Sequence, residues 1–138
     1  MELSKKDKAY FNIAKEVSFL SDFPKAKIGV CVVYKHKVIS TGFNSNRTSP
    51  LQKKYNKYRF EADTIHTCHA EIAALKPLLN RKDINFKNVD LYIYREFQNK
   101  ELALARPCTS CMKLIKDLGI RNLYYTTYGG FSHEEILI

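Results

Sequence analysis

Two short segments bring reactive side chains together, and they constrain the fold more than any other feature of this chain. They are His69-Ala70-Glu71 and Pro107-Cys108-Thr109-Ser110-Cys111. One imidazole and two thiolates form a ligand set that suits zinc. Three protein ligands leave the fourth position open to water, which is the arrangement of catalytic rather than structural zinc. We therefore predict that His69, Cys108 and Cys111 converge on one zinc ion.

The spacing within each segment predicts that both segments begin helices. Cys108 and Cys111 lie three residues apart, so in a first helical turn one side chain lies above the other. Pro107 suits a helix start, because its missing N–H would have no intrahelical partner there. His69 and Glu71 point to opposite faces in a helix interior, but both reach a metal near the helix axis at an N-terminus. The positive ends of two helices would then favour thiolates and acidify a bound water.

Glu71 is the residue that separates catalysis from metal storage in this pattern. Zinc lowers the pKa of a bound water from about 15.7 to about 7. We predict that Glu71 accepts a proton from this water and delivers it to a ring nitrogen and a departing amine. A lone Cys-x-x-Cys is more often a structural zinc or redox motif. The combination with His-x-Glu favours catalysis.

Composition is that of an ordinary globular protein, with 45% hydrophobic and 27% charged residues among 138. This length buries a core without disulfides, so we expect residues 1–138 to form a single domain. No apolar run approaches the ~20 residues of a membrane span, and the charged N-terminus is unlike a signal peptide. We therefore expect no membrane association and a cytoplasmic location.

The remaining cysteines have less specific interpretations. In a reducing compartment, cysteines are better explained as ligands or buried thiols than as disulfides. Cys31 lies in an apolar run and is predicted to be a core residue. Cys68 precedes His69, and whether it joins His66 in a second metal site stays open.

Periodicity predicts alternating helices and strands along the whole chain. The apolar residues of 4–20 have helical spacing, with Ser4 as the N-cap. Two strands, at residues 27–34 and 38–43, are predicted to form a hairpin. The segment 44–65 is polar and is predicted to be irregular. A helix begins near Thr67 or His69 and is shortened by Pro77. Strands at 89–94 and 123–127 flank a helix at 108–118, and 132–138 is an amphipathic end. The alternation in the second half predicts a parallel strand pair with helices packed on the sheet.

The two segments and this element order resemble the cytidine and deoxycytidylate deaminase superfamily, which also includes tRNA adenosine deaminases. The most specific stretches are 69–72 and 106–115, and 119–125 is similar to the family's passage from helix to strand. The resemblance implies an α/β fold, a three-layer α/β/α sandwich around a mixed sheet of about five strands. It also implies a zinc cofactor and assembly as a homo-oligomer.

The resemblance also implies two substrate contacts. Gly42-Phe43-Asn44 looks like the segment in which the family's Asn contacts the nucleoside, so Asn44 is expected to bind the sugar or the base edge. The backbone N–H of Ala70 is expected to hold the base carbonyl. An alternative for Asn44 is that it only turns the chain after a strand. The stretch after Asn44, residues 45–60, differs from the Gly- and Pro-containing loop that usually follows this Asn in deoxycytidylate deaminases, so their phosphate contacts do not transfer to this chain.

The loop at residues 47–60 supports two interpretations. Basic and aromatic side chains alternate in it, and such a surface can stack bases and follow the phosphates of a single strand. The alternative is a helix whose Leu51, Tyr55 and Tyr58 pack inward while the lysines face water. The net charge of +9 also favours an anionic partner, either a nucleotide or a nucleic acid.

Three functions follow from the sequence. The first is a zinc-dependent hydrolase that converts a cytosine nucleotide, in the manner of deoxycytidylate deaminases, to the uracil nucleotide and ammonia. The second is a deaminase that edits cytosine or adenine in single-stranded DNA or RNA. The third is a non-catalytic module that binds nucleic acid and is stabilised by zinc. Glu71 argues against the third, because a structural site has no use for this carboxylate.

Overall fold

The computed structural model describes residues 2–23, 26–46, 49–58 and 68–136. The helices within these ranges are α1 (Lys5–Ser18), α2 (Pro50–Tyr55), α3 (Ala70–Leu75) and α4 (Thr109–Leu118). The strands are β1 (Lys27–Tyr34), β2 (Lys37–Phe43), β3 (Val89–Glu96), β4 (Asn122–Thr127) and β5 (Gly130–Glu135). Short 3-10 turns lie at Asn56–Tyr58, Lys76–Leu78 and Phe86–Asn88.

The five strands form one mixed sheet in the order β2-β1-β3-β4-β5. β1 is antiparallel to both β2 and β3, and β4 is antiparallel to β5. β3 and β4 run parallel, with Leu91 opposite Leu123, and α4 provides the crossover between them. The predicted parallel pair is therefore confirmed.

Helices pack on both faces of the sheet, because successive residues of each strand point to opposite sides. On one face, Phe11 and Ala14 of α1 pack with Cys31 and Val33 of β1. The other face carries the larger core, formed with α3 and α4 around residues such as Val30. The predicted three-layer α/β/α sandwich is confirmed, as is the buried position of Cys31.

Local signals in the sequence account for the boundaries of these elements. Ser4 caps α1 reciprocally with Asp7, since each side chain accepts from the other's backbone N–H. The hairpin turn consists of Lys35 and His36, whose φ angles of 51° and 64° match a tight two-residue turn between twisted strands. α3 gives way to a 3-10 turn that contains Pro77, which is the predicted shortening.

The prediction of irregular chain over 44–65 is wrong for residues 50–58. Ser49 caps α2 by accepting from the Gln52 backbone N–H, and Pro50 occupies the first turn. Tyr55 is buried, and Leu51 and Tyr58 pack against the same core. For the described residues 49–58, the interpretation as a helix with inward aromatic side chains is confirmed. Residues 47, 48, 59 and 60 of the predicted loop lie outside the described part.

The last strand, β5, arises where the sequence indicated only an amphipathic end. Its residues pair with β4 from Gly130 opposite Thr127 to Glu135 opposite Asn122. It completes the five strands that the family resemblance implied. Within the described ranges, no helix is long and apolar enough to cross a membrane.

The approach of α1 to β1 generates a testable prediction. A Cβ on Gly29 would collide with the Ala14 carbonyl oxygen and lie 2.6 Å from the Ser18 nitrogen. Because both are helix backbone, we expect Gly29→Ala to lower the free energy of unfolding by at least about 3 kcal/mol, the upper end for overpacking. Urea denaturation measures this loss. As a control, Gly130→Ala meets nothing closer than 3.4 Å and should stay within about 1 kcal/mol of the wild type.

Candidate metal centre

The two predicted segments do begin helices, and the reactive residues occupy the helix starts. His69 is the N-cap of α3 and Cys108 is the N-cap of α4, both with extended backbone. Their carbonyl groups accept the first helical hydrogen bonds, from the Ala73 N–H at 3.0 Å and the Met112 N–H at 2.8 Å. Both side chains are thereby directed from the helix ends toward each other.

The sheet fixes the position of α3 through close backbone contact. A Cβ on Gly42 of β2 would lie 2.7 Å from the carbonyl oxygen of Ala70. The glycine therefore lets the first turn of α3 rest directly on β2. Ser40, on the same strand, donates a hydrogen bond to the Ala74 carbonyl at 2.7 Å. The histidine segment is thus anchored to strand β2 of the sheet.

Three potential metal ligands meet between the two helix starts. The Nδ1 atom of His69 lies 3.4 Å from the Sγ atom of Cys108 and 3.3 Å from that of Cys111. The three ligand atoms all lie within 4.8 Å of one another. Tetrahedral zinc with bond lengths of about 2.0–2.1 Å to nitrogen and about 2.3 Å to sulfur would separate nitrogen and sulfur by about 3.6 Å. The donor set and its spacing therefore fit zinc after an outward relaxation of a few tenths of an ångström.

The pKa values of the two cysteine thiols shift in opposite directions. The hydrogen bond with Cys111 lowers the pKa of Cys108 well below that of an ordinary thiol. The same hydrogen bond, together with burial, raises the pKa of Cys111. Ser110 is fully buried, with its Oγ atom 3.1 Å from the Cys108 sulfur, and it favours the thiolate. Cys108 is therefore the thiol of the pair that ionises more readily.

Glu71 lies beside the ligands as a buried carboxyl. Its side chain is 5% exposed and hydrogen-bonds with the Cys111 side chain. Burial raises the pKa of Glu71 to about 6, and the nearby Cys108 charge also raises this pKa, whereas His69 opposes the increase. The metal-binding group among the described residues consists of the His69, Cys108 and Cys111 atoms without Glu71. A proton-accepting group thus lies next to the centre, as the sequence indicated.

The predicted substrate contacts occupy different environments. Ala70 is the buried first residue of α3, so its N–H has no intrahelical acceptor. Asn44 is buried, and its amide closes the end of the β1–β2 hairpin. Its Oδ1 accepts from the Ile28 N–H at 2.9 Å, and its Nδ2 donates to the Ala26 carbonyl at 2.7 Å. The structural interpretation of Asn44 is thereby supported, and the contacts of Asn44 and Ala70 with substrate stay predictions.

Cys68 has a structural position next to the centre. Its backbone exchanges two hydrogen bonds with Ser45, of 2.9 and 3.0 Å, in an isolated β-bridge. Its side chain is buried, which raises the pKa of the thiol. His66 lies outside the described residues, so the suggested second metal site with Cys68 is not addressed by the structure.

Sequence reasoning missed two residues that support this centre. Gln52 of α2 is fully buried, and its Oε1 atom accepts from the His69 backbone N–H at 2.9 Å. Ser110 lies between the two cysteines and contacts Cys108. Ser49-Pro50 is a helix-start signal that would have revealed α2. Ser110 was also recognisable from the sequence, because it lies between the two cysteine ligands.

The family profile described as "Cytidine and deoxycytidylate deaminase zinc-binding region" matches residues 4–127. The chain belongs to this family. Zinc is therefore the metal that this family membership and the ligand set both assign to the centre.

Individual relatives are more distant. Deoxycytidylate deaminase from Pongo abelii is 27% identical over 108 residues, which cover 74% of this chain and 53% of the relative. The chain thus spans about half the length of this curated relative. A crystal structure of dCMP deaminase from cyanophage S-TIM5, in complex with dCMP and dUMP, is 20% identical and covers 90% of this chain and 83% of that chain, with a TM-score of 0.63.

The cytidine deaminase structure from Burkholderia pseudomallei is similar over a larger share of both chains. It covers 96% of this chain and 93% of that chain at 16% identity, with a TM-score of 0.64. At these identities the structural similarities establish the fold alone. They confirm the cytidine deaminase-like architecture that the sequence predicted.

We expect Cys111→Ala to lose stoichiometric zinc and to melt well below the wild type. The reason is that metal binding and folding are coupled when the ligands meet only in the folded chain. Elemental analysis after gel filtration, together with thermal denaturation, checks both effects. Cys31→Ala is the matched control, since this buried thiol lies on the opposite face of the sheet and should keep its zinc. Full zinc occupancy in Cys111→Ala would contradict the ligand assignment.

Proposed function

We propose that this protein is a zinc-dependent hydrolytic deaminase that converts a cytosine nucleotide to the uracil nucleotide and ammonia. The observation that carries the proposal is Glu71, a buried carboxyl in contact with Cys111 but outside the ligand group. A zinc site that served only stability would not require a buried acid beside it, because burying an ionisable group costs free energy. Family membership supports the same reaction class.

The chain's own residues account for the proton transfers of such a reaction. His69, Cys108 and Cys111 would hold zinc, which when bound supplies a Lewis acid that makes a nearby water acidic. Glu71 takes one proton from that water as its oxygen adds to C4 of the ring, and it passes the proton to the ring nitrogen N3. Glu71 then transfers the remaining hydroxyl proton to the amino group. The bond between C4 and the amino nitrogen then breaks and ammonia leaves, so C4 of the product carries a carbonyl oxygen.

Burial raises the pKa of Glu71 to about 6 before any metal is bound, which brings this carboxyl toward the operating pH. General acid–base groups work best when their pKa lies near the operating pH, because both protonation states are then accessible. Burial in the centre provides this shift from the ordinary carboxyl value. The site thus contains a proton carrier that needs no second residue.

The substrate assignment rests on the relatives. The Pongo abelii protein is a deoxycytidylate deaminase, and the cyanophage enzyme was crystallised with dCMP and dUMP. The cytidine deaminase from Burkholderia pseudomallei also carries a cytosine substrate in its name. We therefore propose a cytosine nucleotide, with deoxycytidylate as the first substrate to test. The predicted homo-oligomer and the contacts of Asn44 and Ala70 belong to the same proposal.

One observation favours a second candidate, an enzyme acting on single-stranded nucleic acid. The net charge is +9, and Lys53, Lys54 and Lys57 are exposed on and after α2. Tyr55, one of the aromatic residues predicted to stack on bases, is buried, and its hydroxyl donates to Asp117. Its ring is therefore not exposed for stacking on a nucleic-acid strand. The free nucleotide is therefore the better supported substrate.

The deciding experiment measures ammonia release from the zinc-loaded protein. The panel contains cytosine, cytidine, deoxycytidine, their mono- and triphosphates, and single-stranded DNA and RNA. Turnover of deoxycytidylate at low enzyme concentration would support the proposal. Turnover of strands without turnover of monomers would replace it with the editing function.

We expect Glu71→Gln to keep zinc and the fold while kcat falls by about 10²–10⁴-fold, the range for loss of a positioned general acid–base group. The amide has the same shape as the carboxyl but cannot accept the proton. Elemental analysis and steady-state kinetics on the same preparation separate metal loss from loss of chemistry. Wild-type kcat in a zinc-loaded variant would refute the role of Glu71.

A charge variant distinguishes the two substrate classes. We expect replacement of Lys53, Lys54 and Lys57 by Gln to leave kcat/KM for deoxycytidylate within about twofold, because all three side chains are exposed and their ring contacts with Tyr55 and Tyr58 lie at the surface. An enzyme that follows a strand would instead lose affinity and part of its salt dependence with each phosphate contact removed. Comparing kcat/KM for both substrate types at two salt concentrations measures the difference.

A further inference from the structure

Gln52 is the buried polar residue that the proposed chemistry does not use. Its side chain has no solvent exposure although it lies on a helix of six residues. Its Oε1 atom accepts from the His69 backbone N–H at 2.9 Å, and its Nε2 donates to Asn56 Oδ1 at 2.8 Å. Burying an amide is costly unless both ends are satisfied, and a leucine would fill the same space without this requirement. The interaction that glutamine provides here, and that leucine would not, is the hydrogen bond to the His69 backbone N–H.

The same segment also contacts the helix that carries the cysteine ligands. The Tyr55 hydroxyl donates to Asp117 Oδ2 at 2.8 Å. The Lys113 ammonium group lies 5.5 Å from the centre of the Tyr58 ring. Asp117 and Lys113 both belong to α4, whose start holds Cys108 and Cys111. Residues 49–58 thus connect the histidine segment to the cysteine helix.

We propose that Gln52 is a positioning residue for the metal centre. By holding the His69 backbone N–H, it fixes the direction in which the imidazole leaves the start of α3. Tyr55 holds α4, so α2 sets the distance between the imidazole and the two sulfur atoms. Through these inward side chains, residues 49–58 act as a brace, a segment that holds the two halves of the centre at a fixed separation. The inference rests on the zinc site of the proposed function.

The test compares two substitutions of the same residue. Gln52→Met keeps the volume but removes the acceptor, whereas Gln52→Glu keeps an acceptor for the His69 N–H. Groups that orient metal ligands typically contribute 10–100-fold to metal affinity, so we expect Gln52→Met to weaken zinc binding by at least about tenfold. Gln52→Glu should keep the zinc Kd within about threefold even where its melting temperature falls, since the orienting hydrogen bond remains. Competition with a chromophoric chelator measures the zinc Kd.

Cobalt substitution reports the geometry independently of activity. The visible bands of bound Co²⁺ should shift or weaken in Gln52→Met, because the imidazole is no longer held at one angle, and should match the wild type in Gln52→Glu. Ile84→Val, a core truncation outside α2, α3 and α4, controls for loss of stability alone and should leave the spectrum unchanged. Wild-type Kd and spectrum in folded Gln52→Met would overturn the proposal.

A second variant tests the other end of the brace and decides the question where Gln52→Met does not fold. Tyr55→Phe removes the hydrogen bond to Asp117 but keeps the buried ring. We expect the zinc Kd to rise by about fivefold, the equivalent of one net hydrogen bond. An unchanged Kd in Tyr55→Phe would overturn the proposed link to α4. A wild-type protein that bound no zinc would instead refute the proposed function itself.

Discussion

The convergence of one nitrogen and two sulfur atoms between two helix starts is the constraint on which the rest of this structure depends. A separation of 3.3 and 3.4 Å between His69 Nδ1 and the two sulfurs requires two distant chain segments to hold fixed positions. The sheet provides one support, because α3 lies directly on Gly42 of β2. The crossover from β3 to β4 provides the other, because α4 must lie within it. The mixed sheet is therefore the frame of the metal centre as well as the core of the fold.

Burial gives this centre its chemistry as well as its position. The helix starts leave backbone N–H groups without intrahelical partners, and these groups favour negative charge nearby. For the Glu71 carboxyl, burial is the largest effect and raises the pKa, whereas His69 and a backbone hydrogen bond lower it. The balance for Glu71 is a pKa of about 6, which lies between an ordinary acid and a neutral-pH base. The same low-dielectric surroundings allow the Cys111 hydrogen bond to favour ionisation of Cys108 first.

Much of this architecture is predictable from the sequence, and the reasons are local. The cap at Ser4, the proline before the Cys108 N-cap, the β-branched run of β1 and the ligand spacing each indicate an element by themselves. The sequence left α2 as one of two interpretations of residues 47–60, because six residues carry too little periodicity to outweigh a polar composition. It did not predict β5, because Ser132, His133 and Glu134 lack the usual strand composition. That segment becomes a strand because β4 offers an unpaired edge and the turn before it is tight.

The role of Gln52 could not be predicted, because it depends on a contact between residues far apart in the chain. A glutamine followed by two lysines is ordinary on a helix surface, and the packing of Leu51 and Tyr55 against the core accompanies its inward position. Its burial then depends on both of its hydrogen bonds being formed. Local sequence patterns identify the metal ligands, whereas the residues that orient those ligands emerge only from the fold.

The hydrogen bonds that Asn44 makes within the fold leave part of its amide available for the nucleoside contact that stays a prediction. Its amide forms one hydrogen bond through each polar atom, to Ile28 and Ala26. An amide has two N–H donors and two acceptor lone pairs, so one donor and one lone pair remain beyond these two bonds. The bonds to β1 fix the orientation of the amide and so reduce the entropy lost on any further contact. A residue held in this way is suited to recognise a ligand, and its buried position at the end of the hairpin is consistent with the predicted nucleoside contact.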